Sequence, residues 1–394
     1  MSRSRTITMT TPTGDQALIK RINTAIVLES ILRGAPLSRA QISERTGLNK
    51  ATVSSLVQDL IDGSLVLETG PGESSGGRKP VMLEFIANAG HAIGIDLGVN
   101  YIRGVLMDLQ GGVCKELTSA LRKTDPDFVV KELCKIIDKL IASAPSCPYG
   151  IVGIGVGVPG LVDGSGTVLF APNLKWRDVP LERQLSDHYG IPVTIDNEAN
   201  AGALGEQKHG AGRSIANLVY VSVGIGIGTG LILHKSLYKG TSGFSGEMGH
   251  LSVEAHGKPC SCGNRGCWEM YASEQSLLEK AEKLGYRDLE QLLSAAGQGK
   301  PEVLELFRGI GEYLGIGIAN IVNVFNPDAV IIGNRMSQAR EWVEGELRQT
   351  VTQRAIGFHL RNVQLLFAEL GERSAMMGAG EMAISGFFNR LKST

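Results

Sequence analysis

Apolar positions recur at helical spacing from residue 16 to about 33. Leu18, Ile22, Ala25, Ile26 and Ile31 are predicted on the inner side, with Asp15 as the cap and Gly34 as the stop. Ser38 and Gln41 then form an S-x-x-Q capping box for a short second helix through about Thr46, and Gly47 turns the chain. Asn49 caps a third helix in which Val53, Leu56, Val57, Leu60 and Ile61 share one face. Two short apolar strands follow, "SLVLETG" and "PVMLEF", joined by "PGESSGGRKP". Helix, short helix, turn, helix and ribbon predict a winged helix-turn-helix over residues 15–88, behind a flexible tail at 1–14.

After "IANAGH" the pattern changes to short buried strands with glycine turns. "AIGIDLGVNYIRGVLMDLQGGV" from Ala92 is echoed by "LVYVSVGIGIGTGLILHKSLYKG" from Leu218, each a strand, a tight glycine turn, a second strand and another turn. "GIVGIGVGVPGLVD" (150–163) and "NVFNPDAVIIGN" (323–334) read as further buried strands running into loops. The repeat predicts two related α/β lobes, residues 89–196 with 372–394 and residues 197–371, and a ligand cleft at the strand ends between them.

Polar positions add chemistry to these elements. The outer face of the third helix carries Asn49, Lys50, Thr52, Ser54, Ser55 and Gln58 and has no acid before Asp59, which suits base edges and phosphates in a major groove. The turn between the two strands ends in Arg78 and Lys79, suited to phosphates or a minor groove. The alternative for this face is a solvated helical cap. Net charge does not decide between them: residues 1–90 carry 10 Lys/Arg and 8 Asp/Glu, a net +2, and the remainder a net −3. At 394 residues, with 43% hydrophobic and 20% charged positions, the chain reads as a globular protein of two or three domains. Its N-terminal stretch has no apolar core, and its uncharged runs are short and glycine-rich. The expectation is a cytoplasmic protein without a membrane partner.

Three of the 6 cysteines, Cys260, Cys262 and Cys267, lie within 8 consecutive positions, with His250 upstream of the first. Cys114, Cys134 and Cys147 are scattered, as free thiols in a reducing compartment are. Three thiolates and an imidazole complete a tetrahedral shell with no position left for water, so a structural zinc is expected.

The motifs "GVPGLVD", "DNEANAGALGE" (196–206) and "GEMGH" followed by "CSCGNRGCWE" resemble the ROK family of repressors, open reading frames and sugar kinases over nearly the whole chain. Within the family the chain is most similar to repressors with an N-terminal winged helix, and among those to the xylose repressors of Gram-positive bacteria. The resemblance implies a two-lobed, actin-like and ribonuclease-H-like sugar-kinase ATPase fold behind the winged helix. It also implies a sugar site of Asn173, Asn197, Glu198, Glu247, His250 and Glu269, whose amides and carboxylates bridge adjacent hydroxyls. The zinc shell would pin the wall that carries Glu247 and Glu269.

Three positions depart from the family's kinases. Glu198 stands where the kinases place a general-base aspartate, Val99 and Asn100 interrupt the D-x-G-G-T phosphate hairpin, and Asn334 follows Gly333 where consecutive glycines are usual. The expectation is therefore a non-enzymatic repressor of palindromic double-stranded operator DNA, a homodimer or higher, with no ATP requirement, released by a pentose, D-xylose being favoured. The alternatives are a working sugar kinase that also binds DNA, or a repressor responding to a hexose.

Overall fold

The computed structural model describes residues 16–72 and 79–392. Its N-terminal elements are α1 (Gln16–Gly34), β1 (Leu37–Ser38), α2 (Arg39–Thr46), α3 (Lys50–Asp62), β2 (Val66–Pro71) and β3 (Val81–Phe85). The capping box is formed: Gln41 N donates to Ser38 Oγ at 3.3 Å and Ser38 N to Gln41 Oε1 at 2.8 Å. Gly47 turns the chain with φ of 72°, a left-handed conformation that glycine adopts without strain. Asn49 caps α3, its Oδ1 accepting from Thr52 N at 2.8 Å. Val53, Leu56, Val57 and Leu60 face inward. β1, β3 and β2 form an antiparallel sheet in that order, completing a winged helix. The expected cap Asp15, the tail at 1–14 and Arg78 lie outside the described residues.

The expected inner side of α1 is corrected. Its buried residues are Val27, Leu28 and Ile31, whereas Leu18, Ile22 and Ile26 are exposed by 36%, 50% and 39%. A helix of 19 residues outruns α2 and α3, of 8 and 13 residues, so its buried apolar residues lie in the second half, while Lys20 in the first half reaches Asp59 of α3 at 2.8 Å.

The rest of the chain builds one topology twice. The first copy has β4 (His91–Leu97), β5 (Tyr101–Asp108), β6 (Val113–Ala120), α4 (Pro126–Ser143) and β7 (Ile151–Val158). A small antiparallel sheet of β8 (Leu161–Val162), β9 (Val168–Ala171) and β10 (Trp176–Val179) follows. Next come α5 (Leu181–Tyr189), β11 (Val193–Asn197) and α6 (Glu198–His209). The second copy has β12 (Leu218–Val223), β13 (Ile227–Leu233), β14 (Ser236–Tyr238), α7 (Glu269–Ala272), α8 (Glu274–Ala281), α9 (Leu289–Gly297) and α10 (Pro301–Phe325). It continues with β15 (Ala329–Gly333), α11 (Arg340–Arg354), β16 (Gln364–Phe367) and α12 (Ser374–Leu391). In the first sheet, ordered β11-β7-β4-β5-β6, β4 to β6 are an antiparallel meander and β7 and β11 run parallel to β4. In the second, ordered β14-β13-β12-β15-β16, β12 to β14 are the meander and β15 and β16 run parallel to β12. The echo between Ala92 and Leu218 is this shared meander.

Ile93, Ile95, Leu133, Ile137 and Val156 fill the first core, and Val221, Trp268, Leu314, Ile318 and Ile332 the second. α12 packs against α6 at backbone distance, since a Cβ on Gly378 would run into the Ala201 carbonyl. By compactness the chain divides into a small unit of Met1–Gly90, Cys147–Tyr149 and Ser385–Thr394, and a large unit of His91–Ser146 and Gly150–Ile384. Among the described residues, no helix is long and apolar enough to cross a membrane.

Candidate functional site

His250 and the three cysteines converge as their spacing predicts, with His250 Nδ1, or Nε2, and the three Sγ atoms all within 4.8 Å of one another. Cys262 Sγ and Cys267 Sγ are 3.7 Å apart, and Cys260 Sγ is 3.6 Å from His250 Nδ1. A zinc tetrahedron with Zn–S of about 2.3 Å and Zn–N of about 2.0–2.1 Å has edges of about 3.8 Å (S–S) and 3.6 Å (S–N). The donor set therefore fits zinc in both softness and size. The segment that carries it is tied by short bridges, Ser252 with Cys267 and Pro259 with Arg265.

The metal wall is continuous with a cleft of about 850 Å³ at the strand ends of both sheets. Asn173, Asn197, Glu198, Glu247, His250 and Glu269 all line it. His250 turns Nδ1 toward Cys260 and Nε2 toward Glu247, whose Oε2 lies 3.9 Å away. One ring can thus hold a metal with one nitrogen and face the cleft with the other. Glu269 Oε1 accepts from Cys260 Sγ at 3.1 Å, so it too is anchored at the metal wall.

Glu198 begins α6. Asn197 caps the helix, with Oδ1 accepting from Ala199 N at 2.8 Å and Nδ2 donating to Gly160 O at 3.0 Å. Most of the Asn197 amide is thereby committed to holding Glu198 in place. The Glu198 carboxylate lies against Gly228 of β13, the turn that Glu269 approaches at Gly226. Burial, then the charges of Asp96 and Glu247, push its carboxyl up to about 8. Burial also raises Glu247, and lifts Asp96 to about 6 against the pull of Arg103.

Sequence reasoning missed Asp96, Tyr101 and Arg335, which also line the cleft. Asp96 and Tyr101 were visible in "DLGVNY" as a degenerate turn, but nothing in the spacing shows that the Tyr101 hydroxyl hydrogen-bonds Asp96. The Tyr101 ring also covers Gly98, where a Cβ would collide with it. Arg335 Nε lies 3.0 Å from Glu274 and its Nη2 2.9 Å from Glu290, filling the outer end of the cleft with an ion-pair network.

On α3, Lys50, Ser54, Ser55 and Gln58 are exposed and Thr52 is half-buried. Asn49 uses its oxygen as the cap, and Gln58 Nε2 donates to Asp62 Oδ1 at 2.8 Å. Lys79 is exposed beside β3.

Residues 92–385 match the ROK family and residues 19–73 the MarR family. The chain belongs to the ROK family. It is 44% identical over 381 residues to the xylose repressor of Bacillus subtilis (strain 168), covering 96% of this chain and 98% of that one. The crystal structure of a ROK family transcriptional regulator, a homologue of the E. coli Mlc protein, superposes with a TM-score of 0.81 at 27% identity, over 95% of this chain and 98% of that one. A ROK family glucokinase from Streptomyces griseus, in complex with glucose and AMPPNP, gives 0.69 at 30% identity over 75% of this chain and all (100%) of its own. The fold is accordingly a MarR-like winged helix joined to the sugar-kinase-type, actin-like ROK body.

Proposed function

We propose that this ROK protein is a D-xylose-responsive transcriptional repressor. Its winged helices bind the two halves of a palindromic operator as a homodimer, and the sugar releases them. The carrying observation is that one chain joins a capped helix with an exposed polar face to a cleft in which six sugar-chemistry residues meet. Near full-length similarity to the B. subtilis xylose repressor supports the choice of sugar. So does the geometry of Glu198. Its carboxylate lies against Gly228, and in this reading the added methylene takes the place of a hexose's sixth carbon, which a pentose ring lacks.

Zinc held by His250, Cys260, Cys262 and Cys267 is structural in this reading, and it fixes the wall from which Glu247, His250 and Glu269 read ring hydroxyls. Sugar closing the two lobes changes the spacing or orientation of the paired winged helices, and reciprocity requires bound operator to weaken sugar binding by the same factor. Lys50, Thr52, Ser54, Ser55 and Gln58 are assigned to the major groove, Lys79 and Arg78 to backbone or minor groove, and Asn49 to the cap that sets the helix against DNA. The protein works in the cytoplasm.

Similarity to the S. griseus glucokinase keeps a second reading, a kinase that also binds DNA. Against it stand Glu198 in the base position and Tyr101 folded over Gly98 in the phosphate hairpin. A coupled assay for sugar-dependent ADP release decides: xylose and glucose should each give no turnover above background, and saturable turnover with either would establish the kinase.

A further inference from the structure

The chain crosses from β16 to α12 through residues 368–374, and this crossing is held by side chains from both lobes. Glu206 of α6 accepts from Glu369 N at 3.2 Å, Leu370 N at 3.0 Å and Ser374 Oγ at 2.7 Å. Arg373 reaches Glu116 of β6 at 3.1 Å. Glu372 is gripped twice. Its Oε1 accepts from Gln338 Nε2 at 2.7 Å, and its Oε2 and backbone oxygen accept from the Arg103 guanidinium, the latter at 3.2 Å.

Arg103 has a second acid. On β5 it is paired in register with Asp96 of β4, and Nη1 stands 3.9 Å from Asp96 Oδ2. Its guanidinium stacks 4.1 Å over the Tyr101 ring, whose hydroxyl bonds Asp96. Asp96 and Tyr101 line the effector cleft beside Glu198, whose carboxyl the Asp96 charge helps to raise. One half-buried guanidinium is therefore shared between an acid that faces the ligand and an acid on the crossing. Asp96 lies beyond hydrogen-bond distance and Glu372 within it, so the crossing holds the guanidinium more tightly in this conformation. A change of charge or hydrogen bonding around Glu198 acts on the Asp96 side of that competition.

We propose that Arg103 is the positioning residue that couples the sugar cleft to the crossing before α12, by exchanging its grip between Glu372 and Asp96 when sugar binds. The inference rests on the sugar-responsive repressor reading. α12 starts two residues after Glu372 and ends at Leu391, and its residues from Ser385 onward belong to the small unit that contains the winged helix. The crossing thus directly precedes the helix whose last residues belong to the small unit.

The test measures operator affinity of full-length wild type, Arg103→Gln and Glu372→Gln with and without saturating D-xylose, and D-xylose affinity by calorimetry. The expected result is that both variants keep D-xylose affinity while the ratio of operator affinities without and with sugar falls by about tenfold, a loss of coupling and not of binding. Glu372→Gln keeps side-chain size on a partly exposed turn and stands in should Arg103→Gln not fold. An unchanged ratio in either folded variant overturns the proposal. So does a loss of D-xylose affinity equal to the loss of coupling, because a merely structural role would produce that. A wild-type ratio of one would sink the repressor reading itself, a different result from coupling that survives the substitutions.

Discussion

Glu198 should make the protein less stable as the pH rises, and Glu198→Gln should remove that loss. The folded protein holds this carboxyl at about 8 against an ordinary 4.5, because burial and the charges of Asp96 and Glu247 disfavour ionisation. Below about 4.5 the group is protonated in both folded and unfolded chains and contributes nothing to the balance. Between 4.5 and 8 the unfolded chain releases the proton and the folded one keeps it, so stability falls with rising pH and levels off above 8. At about 1.4 kcal/mol per tenfold in proton affinity, the full penalty approaches about 5 kcal/mol, and water in the open cleft reduces it to about 2–4 kcal/mol. The Gln variant lacks the titration. Its unfolding midpoint should match wild type near pH 4.5 and exceed it by a few degrees at pH 8 to 9, while D-xylose binding is lost. Taking the difference between variant and wild type at each pH cancels the titrating groups that do not interact with Glu198, leaving its own titration and its coupling to Asp96 and Glu247. A difference in midpoint that does not change with pH would refute the reasoning, and so would a variant less stable than wild type at pH 8.

Three further outcomes are expected. Cys262→Ser should drop bound zinc from about one per chain to near none and abolish most of the D-xylose response, as metal analysis and operator binding would show, because one ligand of four is lost from the shell. Lys79→Ala should weaken binding to all duplexes and lower the salt slope by about one, whereas Ser55→Ala should reduce discrimination between operator and random DNA by about 1–3 kcal/mol; equal, sequence-independent losses would mean the reading face is elsewhere. Glu198→Asp, shorter by one methylene, should shift the D-xylose to D-glucose preference toward glucose by about 1–3 kcal/mol in calorimetric titrations, and an unchanged preference would remove Glu198 as the discriminator.

What was legible in the sequence was local or repeated. The capping box at Ser38 and Gln41 and the cap at Asn49 are decided within four residues, so the winged helix could be read from them. The metal ligands fall in one short segment, and its glycine turns leave few ways to fold other than with the four side chains together. The echo between Ala92 and Leu218 marked the shared meander because a turn repeats at the same offset in both copies. Other features depended on distant partners. The apolar side of α1 was read correctly only at Ile31 among the buried residues, because periodicity finds a face without saying which half of the helix is covered, and Val27, Leu28 and Ile31 are the buried ones. Asn197 lines the cleft, but that its amide also caps α6 and holds Gly160 is something no spacing reveals. Arg103 and Glu372 are 269 residues apart in the chain, and Lys239, which reaches buried Asp196 at 2.5 Å, lies on the opposite lobe from it. Such pairs are set by topology, which a single sequence shows only as two repeating halves.

The central claim is linkage between D-xylose and operator in one molecule. Its most direct measurement is fluorescence anisotropy of the operator duplex titrated with the full-length protein, across a series of D-xylose concentrations at fixed salt. Operator affinity should fall as D-xylose rises and reach a plateau, the half-effect should track the calorimetric D-xylose affinity, and D-glucose at the same concentrations should release little DNA. Operator affinity that stays constant across the whole D-xylose series, in protein shown by calorimetry to bind the sugar, would contradict it.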